Sequence, residues 1–179
     1  MEVVCGGVKV DEIDHADNTK TTHWKSNQRY PTYLASVAVG DYAVINDVYE
    51  GVERDIPIQN YAYHDDSSGT VSSLRDLKQV MAIYEELFGP YRMDRIGYVT
   101  VPFGAGAMEH AMNIAMSPDA LDGSLDSETT IYHELSHMWF GDWVTCKTAN
   151  EMWINEGWAS YCEAIFTEHM YGNTQFKNY

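Results

Sequence analysis

Two histidines four residues apart, His133 and His137, enclose Glu134, which directly follows the first of them. On an α-helix the two histidines lie about 40° apart around the axis and about 6 Å apart along it, so both imidazoles can reach one ion. Glu134 lies about 60° from His137, where its carboxylate can act as a general base on a water beside the metal. The same pattern also occurs by chance, as two ordinary helix histidines beside a solvated glutamate. A metal site therefore needs a further ligand.

The apolar residues around the two histidines favour a helix over Ser127–Phe140, with Gly141 as its cap. These residues lie within about 80° of Ile131 around the helix, on the side away from the histidines. They are Ile131, Leu135, Met138 and Trp139. Such a helix buries one face and presents the histidines from the other, which suits a cleft.

Glu156 is the candidate for a third ligand, on a second helix predicted over Asn150–Tyr171. Two histidines and one carboxylate, with one position left for water, form a usual catalytic zinc set. Glu163 shares the face of Glu156 and is a candidate to orient a zinc ligand, although a solvated helix acid explains it equally well. Trp158 and Ile165 are predicted to point away from this face, towards a core.

The rest of the chain alternates short extended runs with one long helix. Runs rich in β-branched and aromatic residues predict β-structure over residues 1–58 and further strands later. A polar loop at Asp65–Gly69 precedes a helix predicted over Val71–Phe88, which ends at Gly89. The runs that predict strands include Thr32–Val39, Tyr42–Ile45, Ile96–Val101 and Met112–Met116.

The chain is strongly acidic, with 27 Asp and Glu residues against 11 Lys and Arg residues and a formal net charge of −16. This charge repels phosphate backbones and anionic membranes, so we expect no nucleic-acid partner, and it favours cationic groups. No apolar run approaches the roughly 20 residues of a membrane span, so we expect no span in this sequence, and its first residues do not predict a signal peptide. Cys5, Cys146 and Cys162 lack C-x-x-C spacing, which favours free thiols.

A glycine-rich segment that ends in Glu109 and His110 precedes the histidine motif. Small residues let the backbone approach a ligand closely, although such a turn with one acid is more often a simple loop. With this segment the sequence resembles the gluzincin zinc aminopeptidases of the membrane alanyl aminopeptidase and leukotriene hydrolase type. The resemblance covers about residues 61–179, and its matching strings are Gly106–Glu109, His133–His137 and Trp153–Gly157.

The resemblance implies an α+β fold, a thermolysin-like zincin in which a mixed β-sheet packs beside the two zinc-binding helices and follows a β-rich segment. It implies that residues 1–58 are the tail of a β-rich amino-terminal domain. Residues 59–179 would be a thermolysin-like catalytic domain, truncated at its carboxy-terminal side. It also implies one zinc ion per chain on His133, His137 and Glu156, with Glu134 activating the water.

The resemblance further assigns Gly106, Ala107, Met108 and Glu109 to substrate binding. Glu109 would hold the free α-amine of the substrate, so that only the first peptide bond reaches the metal. His110 stands where the family has asparagine. The family's oxyanion-stabilising tyrosine lies beyond the last residue of this chain, so we expect a weakly active fragment that the remainder of the parent polypeptide completes.

The sequence therefore predicts a zinc metallopeptidase that removes amino-terminal residues from peptides with a free amino terminus. A thermolysin-like endopeptidase is one alternative, because it shares the zinc helices, but it needs no amine-binding glutamate. A non-catalytic zinc- or peptide-binding module is another, because binding can persist where an oxyanion donor is missing. The Gly106–Glu109 segment favours the aminopeptidase over the endopeptidase.

Overall fold

The computed structural model describes residues 1–104 and 106–179, so Ala105 in the glycine-rich segment lies outside the described residues. The strands in chain order are β1 (Glu2–Cys5), β2 (Val8–Asp14), β3 (Lys20–Lys25), β4 (Val37–Gly40), β5 (Tyr42–Glu50), β6 (Asp55–Tyr63), β7 (Tyr98–Thr100), β8 (Ala107–Met108) and β9 (Ile114–Met116). The α-helices are α1 (Ser67–Ser73), α2 (Leu77–Phe88), α3 (Glu128–Ser136), α4 (Trp153–Tyr171) and α5 (Asn173–Phe176).

The central sheet has five strands in the order β5-β6-β7-β9-β8. β5 and β6 form a long antiparallel hairpin, β7 is parallel to both β6 and β9, and β8 pairs antiparallel with β9 at the edge. The sheet is therefore mixed, and helices α2, α3 and α4 share a hydrophobic core with its strands. The predicted α+β class, with a mixed sheet beside the two histidine- and glutamate-bearing helices, is confirmed.

Two buried tyrosines fix the helices to the sheet and to each other. The hydroxyl of Tyr98, on β7, donates to the carbonyl of Ile131 on α3 at 2.9 Å. The hydroxyl of Tyr84, on α2, lies 3.2 Å from the carbonyls of both Tyr132 on α3 and Cys162 on α4. Because buried hydroxyls need such partners, these contacts fix the height of α3 above the sheet and its position beside α4.

The segment before β5 covers the opposite face of the sheet. β1 pairs with β4, β2 pairs with β3, and a second cluster joins Val4 to Tyr61 and Val99 of the sheet. The buried guanidinium of Arg95 donates to the carbonyls of Cys5 and Gly7, each at 2.6 Å. These charge-assisted contacts attach the amino-terminal strands to the central sheet.

The predicted strand over Thr32–Val39 is wrong in its first half. Thr32–Leu34 forms a 3₁₀ turn, and only Val37–Gly40 is a strand. Pro31 precedes the turn, Leu34 is fully buried, and the Leu34 carbonyl accepts from the Ala111 amide at 3.0 Å. A tertiary contact therefore overrides the local β-propensity.

The predicted single helix over Val71–Phe88 is two helices, and the predicted polar loop Asp65–Gly69 is largely helical. A 3₁₀ turn at His64–Asp66 leads directly into α1, and the chain turns between α1 and α2. Gly69 lets α1 pack closely, because a Cβ there would lie 2.7 Å from the Leu121 carbonyl oxygen. The break brings Leu74 and Leu77 into the core, 7% and 3% exposed.

The predicted domain boundary after residue 58 falls inside β6. β5 and β6 belong to the same sheet as β7, β9 and β8, whereas β1 pairs with β4 in a separate sheet. Residues 42–58 thus belong with the later part of the chain, and we propose that the boundary lies near Asp41. No helix within residues 1–104 and 106–179 combines the length and the apolar character needed to cross a membrane.

Candidate active site

The two histidines of the motif point to one place from the end of α3. The helix ends at Ser136, earlier than the predicted Phe140, but His137 keeps helical dihedral angles of φ −58° and ψ −24°. The Nε2 atoms of His133 and His137 consequently lie 3.2 Å apart. Beyond His137 the chain reverses, and the Asp142 amide donates to the His137 carbonyl at 2.9 Å.

Glu156 reaches the same place from the first turn of α4. Its Oε2 atom lies 3.3 Å from Nε2 of His133 and 3.6 Å from Nε2 of His137. The donor atoms of all three residues lie within 4.8 Å of one another. Two imidazole nitrogens and a carboxylate oxygen that converge in this way fit the ligand set of a catalytic zinc ion.

The second nitrogen of each imidazole has its own acceptor. Nδ1 of His133 lies 2.7 Å from Oε1 of Glu163, and Nδ1 of His137 lies 3.0 Å from the Phe140 carbonyl oxygen. Acceptors at Nδ1 place the proton there and leave Nε2 with a free lone pair for a metal. This geometry supports the predicted orienting role of Glu163, which also accepts from the Tyr179 hydroxyl.

The charges of these residues depend on one another. Burial lowers the pKa of His137, but the nearby Glu156 carboxylate and the charge of Glu109 outweigh it and raise the pKa to about 9. The nearby His137 imidazole in turn lowers the pKa of Glu156. A cation bound at these atoms replaces that proton, so the same carboxylates that favour the imidazolium favour a metal.

Glu134 is buried beside the donor atoms. Among the described residues its Oε2 atom has no hydrogen-bond partner, and the side chain belongs to a second compact group with Glu109 and His137. Burial, opposed by the charge of His137 and reinforced by that of Glu109, raises the pKa of Glu134 to about 7. A carboxyl group with such a pKa can take up and release a proton near neutral pH.

Glu109 lies on the sheet side of the same cleft. It is 6% exposed, and its carboxylate lies within 4.8 Å of donor atoms of both Glu134 and His137. Ala107 and Met108 form the edge strand β8, and the Gly106 carbonyl accepts from the Ser117 amide at 3.3 Å. The structure therefore brings Glu109 beside Glu134 and the candidate ligand His137, and it places the three residues before Glu109 along the edge of the sheet.

His110, which replaces the family's asparagine, is not among the donor groups of the cleft. Its side chain lines a cavity on the other face of the sheet, beside Val99 and Ala115. Burial lowers its pKa, opposed by the charge of Glu109. His110 is therefore separate from the three candidate ligands.

The sequence analysis missed two residues that adjoin the cleft. Asp142 is 2% exposed, and burial, opposed by the charge of His137, raises its pKa well above the usual range. The hydroxyl of Tyr33 accepts from Nδ2 of Asn155, the residue before Glu156, at 3.3 Å. Neither residue stands at a ligand spacing in the sequence, so only the folded chain identifies them.

The prediction that Trp158 points into the core is wrong. Trp158 is 46% exposed and stacks on Phe140, with ring centroids 4.9 Å apart and an interplanar angle of 12°. The buried positions of α4 are instead Asn155, Ala159, Cys162, Phe166 and Thr167. The helix therefore presents an exposed aromatic face, which contains Trp153, Trp158 and Tyr161.

Gly141 does not cap α3 as predicted, but it packs against a candidate ligand. Its φ is +151°, and a Cβ there would lie 3.1 Å from Nδ1 and 3.3 Å from the carbonyl oxygen of His137. We expect Gly141→Ala to displace the imidazole and to weaken zinc binding by about tenfold, as the loss of a ligand's supporting contact does. Competition with a chromogenic chelator measures this affinity.

Gly157→Ala is the matched control, because a Cβ at Gly157 meets nothing within 4 Å and the residue lies inside α4. This variant should keep the zinc affinity of the unchanged chain. If Gly141→Ala binds zinc as tightly as Gly157→Ala does, Gly141 does not hold His137 in place.

Comparison with known proteins assigns the family. The Peptidase family M1 domain matches residues 73–179. Tricorn protease-interacting factor F2 of Thermoplasma volcanium is 32% identical over an alignment of 171 positions, which covers 85% of this chain and 20% of that protein. Aminopeptidase N of Streptomyces lividans is 33% identical over an alignment of 150 positions, which covers 76% of this chain and 17% of that protein. The chain thus spans about a fifth of the length of these relatives.

A solved structure shows the same fold. The zinc metallopeptidase of family M1 from Deinococcus radiodurans, crystallised as a mutant with a Tyr-Ser-Ala substrate, superposes with a TM-score of 0.85 at 21% sequence identity. The superposition covers 96% of this chain and 39% of that one. From its matching domain and the convergence of its histidine and glutamate side chains, the chain belongs to peptidase family M1.

Proposed function

We propose that this chain carries the core of a zinc aminopeptidase, which removes the first residue from peptides with a free amino terminus. The observation that carries the proposal is the position of Glu109, a buried carboxylate within 4.8 Å of the donor groups of Glu134 and His137. The relatives include proteins named aminopeptidase, and the Deinococcus structure holds a tripeptide.

His133, His137 and Glu156 would hold the zinc ion, one per chain. Their donor atoms converge from two packed helices. The Glu163 carboxylate and the Phe140 carbonyl accept hydrogen bonds from the Nδ1 atoms of His133 and His137 and so orient the two imidazoles. Zinc, when bound, polarises the scissile carbonyl and lowers the pKa of a water from 15.7 to about 7. The residues of the chain supply the other elements of the reaction.

Glu134 would act as the general base. Its Oε2 atom, which has no hydrogen-bond partner within residues 1–104 and 106–179, and its pKa of about 7 let it accept a proton from the attacking water and then pass it to the departing amine. The groups around it exclude solvent, because Glu134, Glu109 and His137 are each at most 7% exposed. Proton transfer at this carboxyl is thus sheltered from bulk water.

Glu109 would pair with the substrate ammonium and so fix where the peptide begins. The edge strand β8, of Ala107 and Met108, would bind the substrate main chain by strand addition, with Gly106 at its entry. An ammonium held beside the candidate metal ligands leaves room for only one residue before the scissile bond. This arrangement favours an aminopeptidase over an endopeptidase, which needs no anion at that position.

Replacement of Glu109 tests the proposal. We expect Glu109→Ala to lower kcat/KM for a leucyl reporter with a free amine. The loss should correspond to about 2–4 kcal/mol of transition-state stabilisation, because the substrate ammonium loses a buried partner. Activity towards the same reporter with an acetylated amine should change little. Steady-state hydrolysis of both reporters by the zinc-loaded protein gives the comparison.

Glu86→Ala serves as the control, because it removes an equal charge from an exposed position on α2. Equal losses on free and acetylated reporters would assign Glu109 a structural role and favour the endopeptidase. Zinc and peptide binding without turnover by the unchanged protein would favour a non-catalytic binding module.

A further inference from the structure

The turn Thr32–Leu34 lies between the segment that carries Glu109 and the helix that carries Glu156. On one side the buried Leu34 accepts a hydrogen bond at its carbonyl from the Ala111 amide, at 3.0 Å. On the other side the Tyr33 hydroxyl accepts from Nδ2 of Asn155, at 3.3 Å. One short turn is therefore bonded to both sides of the cleft.

Asn155 is well placed to pass this contact on to the first turn of α4. It is 1% exposed, it directly precedes Glu156, and its Oδ1 atom accepts from the Cys146 amide at 3.1 Å. The side-chain amide is thus held by the turn on one side and by the segment after α3 on the other. A change at Tyr33 therefore alters the hydrogen bonds of buried Asn155, the residue before the candidate metal ligand Glu156.

Tyr33 itself is not a core residue, because its side chain is 41% exposed. Burial of the hydroxyl, followed by the negative charges of Glu109 and Asp142, raises its pKa to about 12. The phenol therefore stays protonated in the physiological range, and the charge of Glu109, proposed to bind the substrate amine, is one of those that act on it.

We propose that Tyr33 is a positioning residue that sets the separation between Glu109 and the metal donor Glu156. This inference rests on the proposed function, in which the substrate amine meets Glu109 while its first carbonyl meets the metal. Both contacts can form together only if the two carboxylates keep the separation that one bound residue requires. The turn that contains Tyr33 is hydrogen-bonded to the Ala111 amide, two residues after Glu109, and to the side-chain amide of Asn155, next to Glu156, so it holds that separation.

Two hydroxamate probes separate this role from a general structural one. Acetohydroxamate binds a metal alone, whereas leucine hydroxamate offers the metal a hydroxamate and Glu109 an ammonium at the same time. A ligand that bridges two sites loses affinity when their spacing changes, but a single-site ligand does not. Calorimetric titration of the zinc-loaded protein measures both affinities without turnover.

We expect Tyr33→Phe, which removes only the hydroxyl, to weaken leucine hydroxamate binding by about three- to tenfold, the range for one net hydrogen bond. Acetohydroxamate affinity should stay unchanged. Tyr33→Ala should weaken leucine hydroxamate further, and Tyr33→Phe decides the question if the alanine variant fails to fold. Tyr171→Phe is the matched control, since Tyr171 is 43% exposed and its hydroxyl also bonds to a side chain, Glu128, at 2.6 Å.

Equal losses on both hydroxamates in Tyr33→Phe would overturn the inference, because Tyr33 would then act on the metal site alone. Unchanged leucine hydroxamate affinity in Tyr33→Phe would overturn it as well, while leaving the proposed function intact. If the unchanged protein binds the two hydroxamates equally well, Glu109 is not an amine anchor, and the proposed function falls together with this inference.

Discussion

The His137→Ala variant is expected to lose stoichiometric zinc binding, and peptide hydrolysis with it. His137 supplies one of three converging donor atoms, and its Nε2 lies 3.2 Å from that of His133 and 3.6 Å from the carboxylate of Glu156. With the imidazole gone, one histidine and one carboxylate remain, fewer protein ligands than a catalytic zinc site uses. Elemental analysis after reconstitution and gel filtration measures the zinc content per chain.

His169→Ala is the matched control for this prediction. His169 lies on α4 as an exposed residue, and its Nδ1 atom contacts the Ile165 carbonyl at 2.8 Å. This variant should keep one zinc ion per chain. One tightly bound zinc per molecule in His137→Ala would show that the ion is held elsewhere, and the ligand assignment would be wrong.

The Glu134→Gln variant is expected to keep its zinc and to lose activity by about 10²–10⁴-fold, the usual contribution of a general base. Glutamine matches glutamate in size but cannot accept the proton of the attacking water. Glu134 is not one of the three converging donors, and its Oε2 atom makes no hydrogen bond within the described residues. The substitution therefore removes a proton acceptor and leaves the histidine and glutamate ligands in place.

Three measurements on the same preparation check this prediction. Zinc content and leucine hydroxamate affinity should stay near those of the unchanged protein, while kcat for a leucyl reporter falls. If Glu134→Gln retains its kcat, another group accepts the proton. If the zinc content falls as far as the activity does, Glu134 supports the metal site and its role as a base is not established.

The candidate donors could be predicted from the sequence because their arrangement is mostly local. The helical period alone places His133 and His137 on one face, and Glu156 needed only a second helix that returns beside the first. The structure has these helices as α3 and α4, with the three donor atoms within 4.8 Å of one another. The mixed sheet followed from the family resemblance and is confirmed by the M1 fold of the solved relatives.

The errors arose where distant segments decide the local structure. Thr32–Leu34 forms a turn because the Leu34 carbonyl pairs with Ala111, a partner far away in sequence. The contact between Tyr33 and Asn155 depends on that turn, so no spacing rule could reveal it. Helical period alone predicts a buried Trp158, but the residue stacks on Phe140 and is 46% exposed. Propensity and period describe neighbours along the chain, whereas these features are set by packing between segments.

The division of the donor atoms between α3 and α4 links the metal to the folding equilibrium. α3 has only nine residues, and a helix of this length is marginal in water without tertiary contacts. The unfolded chain therefore does not hold His133, His137 and Glu156 together, and an ion bound by all three stabilises the native state alone. An increase in zinc concentration should accordingly raise the melting temperature of the protein. A substitution that destabilises the packing of α3 against α4 should lower the zinc affinity even where the substituted residue does not contact the ligands.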